Sequence, residues 1–202
     1  MTVLKQLIIL FFLCFLTSQK QNSGEVNAFK FNKLLGINNT NENMGISINL
    51  YRLPPAESLE EIKDLENQIL ISQNTKVDLY KITEDLITIF LNSTSPYDNQ
   101  NTVPYKMLYG IRAERNLSVG EVGGFLPSSM VLEITEWIKD NKIETFDGFA
   151  KMYLNLSPEV KQQLDENGID TLYALYNGYI KPLINLYFVA LTNNNSIVFI
   201  AQ

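Results

Sequence analysis

Apolar residues recur along this chain with two periods, and the change from one to the other marks out its elements. Ile46, Ile48 and Leu50 alternate with polar neighbours, the period-two pattern of a half-buried strand, and they open a domain near Met44-Gly45. Pro54-Pro55 ends that strand and starts a helix to about Ile71. There Leu59, Ile62, Leu65 and Ile69 fall on one side, and Glu57, Glu60, Glu61, Asp64 and Glu66 form a solvated face on the other. Asp78 is placed to cap a helix through Leu91, with Ile82, Leu86, Ile89 and Phe90 turned inward. Asn92 to Pro104 carries turn chemistry throughout and reads as a long loop, and Tyr105 to Ile111 is a short apolar segment with no firm assignment.

The second half is punctuated more clearly. Val119-Gly120-Glu121-Val122-Gly123-Gly124-Phe125-Leu126-Pro127 reads as a glycine-rich loop feeding a helix. In that helix Met130, Val131, Ile134, Trp137 and Ile138 make one apolar stripe, so Trp137 reads as core, and Asp140-Asn141-Lys142 closes the helix. A connecting stretch holding Phe146, Phe149 and Tyr153 leads to a helix capped by Ser157 and Pro158 and ended by Asn167-Gly168. Asp170 caps a long final helix with Leu172, Leu175, Tyr176, Tyr179, Ile180, Leu183 and Tyr187, which Pro182 should kink. After the turn Asn193-Asn194-Asn195, Ile197 to Ala201 forms a closing strand. The fold class implied is α+β: a small mixed sheet shared by the first and last strands, packed against about four or five helices in one domain over residues 44–202.

The first residues follow neither period. Lys5 precedes an almost unbroken apolar run from Leu7 to Leu16, then Thr17-Ser18 and the polar Gln19-Lys20-Gln21-Asn22, which is the layout of an export signal over residues 1–18. The run is shorter than the roughly 20 residues of a membrane span. A periplasmic or secreted location follows, with membrane tethering through an uncleaved or lipidated N-terminus as the alternative. Cys14 lacks the small residue before it that lipidation favours. Residues 19–43 are polar and Asn-rich and read as a tether.

Composition narrows the chemistry. The 202 residues are 46% hydrophobic, as in a globular protein, and carry a net charge of −6. That balance argues against a grip on nucleic acid and is compatible with a basic protein partner. There is no histidine, and the single cysteine is Cys14. Catalytic triads, Cys-His dyads and His or Cys metal sites are thereby excluded, and no cofactor or metal motif occurs. Paired carboxylates remain, but neither Glu133 with Glu136 nor Glu84 with Asp85 can be placed across a cleft from sequence. Glu133 and Glu136, at i, i+3 on the polar face of one helix, are solvated by default.

From Met44 onward the chain resembles the YfbM-like family of bacterial domains of unknown function. The resemblance is carried by Met44-Gly45 and its strand, by Asp78-Leu79-Tyr80-Lys81, and above all by Gly120 through Pro127. Leu186-Tyr187-Phe188 and Ile197-Val198-Phe199-Ile200 carry it at the end. It implies an α+β fold and, because the family's function is not established, no catalytic residues. Members often have a Trp-His pair where this chain has Thr83-Glu84-Asp85-Leu86, and mostly lack an export signal.

The candidate ligand site is the glycine loop, Gly120, Gly123 and Gly124, with Arg112 and Arg115 leading into it, because backbone N–H groups before a helix attract anions. The competing reading is structural: Gly123-Gly124 supplies positive φ for a tight turn and permits close backbone packing. The functional expectation is an exported, non-enzymatic binding or interaction domain, with a carboxylate-based hydrolase as the alternative.

Overall fold

The last strand of the domain is its central one. The computed structural model describes residues 47–166 and 172–202. Within it β1 (Ile48–Leu53), β2 (Val77–Asp78), β3 (Ile111–Leu117), β4 (Gly120–Leu126) and β5 (Ser196–Ala201) form one sheet ordered β2-β1-β5-β4-β3. First and last strands are neighbours, as the alternation near Ile48 and the apolar run at Ile197 imply. Every pairing is antiparallel, so the sheet is not mixed. The α+β class stands. The export signal of residues 1–18, the tether of 19–43, the domain opening at Met44-Gly45, the helix end at Asn167-Gly168 and the cap at Asp170 lie outside the described residues.

Strand β5 is apolar at consecutive positions because both of its faces are covered. Ile197 and Phe199 join Leu50 and Leu126 against the main helical layer, whereas Val198 and Ile200 join Tyr51, Leu53, Val122 and Phe125 beneath a smaller cap. Val122 and Phe125 are three residues apart and still share a face. The register explains this: Val122 opposes Ile200 and Gly124 opposes Phe199, so Gly123 is an extra residue that resets the alternation. Each of these side chains is withdrawn from water almost completely, worth about 1.5–3 kcal/mol apiece for a large aliphatic or aromatic group.

The smaller cap differs from the continuous helix that Pro54-Pro55 suggested. Leu59–Glu61 is a single 3-10 turn, and Asp64 adopts a left-handed φ of 51° before α1 (Leu65–Ile71). Leu59, Ile62, Leu65 and Ile69 are buried all the same, because the break re-aims the chain without turning its apolar side outward.

In the main layer, α2 (Thr83–Leu91) is buried on nearly every side. Asp78 does not cap it: its carboxylate accepts from the Tyr80 amide at 2.8 Å and holds the 3-10 turn Tyr80–Ile82 that comes first. Asn92–Pro104 is no long loop, since Pro96–Asn99 forms a 3-10 turn and Val103–Tyr109 is helix α3. The Tyr187 hydroxyl, fully buried, donates to the Met107 carbonyl at 2.6 Å and so satisfies an orphan acceptor in the last turn of α3. The expected stripe forms α4 (Ser128–Asp140): Val131, Ile134 and Ile138 are buried, and half-buried Trp137 meets Phe90 edge-on with centroids 5.6 Å apart.

Phe146–Leu154, read from sequence as a connection, is helix α5, capped by Thr145 accepting from the Gly148 amide. Next comes α6 (Pro158–Glu166), whose Ser157 hydroxyl accepts from the Val160 amide as its sequence suggests. The final helical segment runs through α7 (Leu172–Leu175), a wider π-turn at Tyr176–Ile180 and α8 (Lys181–Thr192). Pro182 is accommodated by that π-turn, in which the Lys181 amide reaches the Tyr176 carbonyl.

Candidate functional site

The glycine-rich stretch is a strand, not a loop before a helix. Gly120–Leu126 pairs with β3 on one side and β5 on the other. Among the described residues, the glycines with positive φ are Gly110 at 70° and Gly120 at 136°, so neither Gly123 nor Gly124 serves a left-handed turn. What Gly124 provides is close approach. A Cβ there would lie 1.9 Å from the Tyr109 carbonyl oxygen, inside any permissible contact. At Gly123 a Cβ would meet nothing within 4 Å.

That open space is part of a cavity of about 460 Å³ between α3 and strands β1, β5, β4 and β3 of the sheet. Ile48, Phe199 and Ala201 supply an apolar floor from β1 and β5. Tyr105 and Tyr109, one helical turn apart on α3, stack with centroids 4.7 Å apart and form a wall. Gln100 and Asn101 add amides, and Lys106 and Arg112 add positive charge. No Asp or Glu is among the described residues lining it.

The wall is held from behind. Tyr97 donates to Glu84 Oε1 at 2.7 Å and is hydrogen-bonded in turn to Tyr109. Burial, followed by that bond to Tyr97, pushes the Tyr109 hydroxyl well above the ordinary tyrosine range, so it stays protonated. Burial first, then donation to Glu84, raises Tyr97 as well.

Of the residues singled out in the sequence, Arg112 and Gly123 reach this cavity. Gly120 lies in the β3–β4 hairpin and Gly124 faces the backbone of Tyr109. Arg115 is placed with the smaller cap, where its charge is the last of several influences on Glu60. Arg112 pairs with Glu114, both side chains being well exposed. Tyr105, Lys106 and Tyr109 were not legible as site residues, because their segment has no assignment from sequence. The i, i+4 spacing of its two tyrosines was the available sign.

A carboxylate hydrolase needs two acidic groups converging in a cleft, one with a raised pKa. Two carboxylates with displaced pKa values are Glu57 and Glu60, both exposed and both lowered. Glu57 is lowered chiefly by the Ser129 hydroxyl, then that of Ser128. Glu60 is lowered first by its own backbone amide, then by Ser58. Glu133 and Glu136 are exposed on α4. No group of three described His, Cys, Asp or Glu residues is placed to hold a metal ion, and no described helix is long and apolar enough to cross a membrane.

No family model matches the chain, and no curated protein matches it. Among solved structures it is similar to the crystal structure of YfbM, a protein of unknown function from Escherichia coli. The two are 14% identical, with a TM-score of 0.42, over 78% of this chain and 99% of that one.

Proposed function

We propose that this chain is an exported α+β domain that acts by binding. The observation that carries the reading is the cavity beside α3. It combines an apolar floor, a tyrosine wall fixed from behind, two amides and two cations, all suited to holding a ligand in one orientation. Its volume falls within the range of about 300–1,000 Å³ typical of ligand pockets. Export is supported by the Leu7–Leu16 run and its polar boundary. The acidic balance of the chain suits a basic protein as a further partner.

One preparation tests these points together. The protein is purified from native extract at low salt, its N-terminus is sequenced, and co-purifying proteins and small molecules are identified by mass spectrometry. The expected result is a chain beginning beyond Ser18 with a bound component. Recovery of bare protein, with no stabilisation by any compound in a broad thermal-shift screen, overturns the binding reading. An intact Met1 on chain recovered in the cytoplasmic fraction overturns export.

A further inference from the structure

Lys106 and Arg112 are six positions apart, and both belong to the same cavity because the chain reverses between them. Helix α3 carries Lys106 and ends at Gly110, whose φ of 70° turns the backbone directly into β3, where Arg112 is the second residue. That turn admits only glycine, since a Cβ at 110 would lie 2.7 Å from the Phe199 ring and 2.9 Å from the Phe125 amide. In a chain with 22 acidic and 16 basic residues, this concave surface is lined by two cations and no carboxylate, with Glu114 reaching it only as the exposed partner of Arg112.

We infer that this cavity is the site for a small organic acid whose carboxylate is carried on a planar apolar ring. The proposal rests on the binding reading above and names its ligand class. A guanidinium matches a carboxylate bidentately, and an ammonium beside it adds a point charge. The present partner of Arg112 is Glu114, in an exposed pair of the kind that contributes little, so a ligand carboxylate can replace it. The stacked Tyr105 and Tyr109 rings offer a flat face, and Ile48 and Phe199 close the apolar side. Gly123, the extra residue of β4, leaves the space where the ring would lie, as glycines in strands do where a ligand approaches.

The test uses two probes of one shape, 2-naphthoate and its uncharged counterpart 2-naphthamide, titrated by calorimetry into the full chain. The carboxylate is expected to bind at least about tenfold more tightly than the amide, because its hydrogen bonds are charge-assisted. The double variant Lys106→Ala/Arg112→Ala should remove that preference. Gly123→Leu should abolish binding of both probes while leaving the melting temperature unchanged. Equal affinity for the two probes, or an undiminished preference in the double variant, overturns the carboxylate assignment and leaves the binding reading in place. Failure of both probes to bind also overturns it. The binding reading falls as well only if the native preparation and the screen come back empty.

Discussion

A methyl group added at position 124 would sit 1.9 Å from the Tyr109 carbonyl oxygen, and the same group at 123 would meet nothing within 4 Å. The two glycines are adjacent, yet one is required by packing and the other is free of it. Backbone on both sides of the 124 contact is fixed, in α3 and in a strand paired to two neighbours, so neither side can yield cheaply. Gly124→Ala is expected to destabilise the fold by about 3 kcal/mol or more, at the upper end of overpacking effects. Gly123→Ala is expected to change stability by less than about 1 kcal/mol, since its φ is not left-handed and removing glycine stiffens the unfolded chain. Urea denaturation of both variants checks this, and equal stabilities would refute it.

At the scale of elements, α4 shows a cap supplied from a distance. Pro127 occupies its N-cap position and has no side-chain acceptor to offer. Glu57 fills the role: it accepts from the Ser128 hydroxyl at 2.8 Å and the Ser129 amide at 3.2 Å, and bonds the Ser129 hydroxyl too. These bonds favour the ionised form, so its folded pKa lies below the ordinary value of 4.5. The stabilisation is therefore fully present above that value and is lost as pH falls through the lower folded pKa. Glu57→Gln should melt below the wild type at about pH 7, with the gap closing as the pH drops under 4.5. A gap that stays constant across that range would exclude the carboxylate as its source.

The same elements show what one sequence discloses. The α4 stripe, the first strand and the Ile197–Ile200 run were legible because one strong period or one dense apolar run dominated each. The glycine strand was misread since glycines ordinarily break elements, and the reason for Gly124 is a contact with Tyr109, outside the stretch itself. Helix α5 was missed because nine residues with scattered aromatics present too few turns for a stripe. The cavity was half legible. Arg112 and Gly123 stood out by type, but Lys106 and the tyrosine wall become a site only through the docking of α3 on the sheet.

For the molecule as a whole, β5 is what joins the two cores. It pairs with β1 along Ile48 to Leu53 and with β4 along Glu121 to Leu126, and each face of it belongs to a different apolar cluster. Removing it would separate β1-β2 from β4-β3 and expose both clusters at once. A chain stopped after Asn195 is therefore expected to show no cooperative melt and no near-ultraviolet circular dichroism, whereas Gln202→Ala should retain both. A cooperative transition in the shortened chain would show that the sheet does not depend on β5.

The position of β5 also imposes an order on synthesis. Every other described element leaves the ribosome before the strand on which the sheet closes. Until residues 196–201 emerge, the nascent chain can form its local helices and the β3–β4 hairpin but not the sheet. Asn49 and Gln202, whose side chains bond at 3.0 Å, are separated by 153 positions, a long-range closure of the kind that makes folding slow. Until β5 is made, the two halves of the sheet therefore have no common strand, and both apolar clusters remain unassembled.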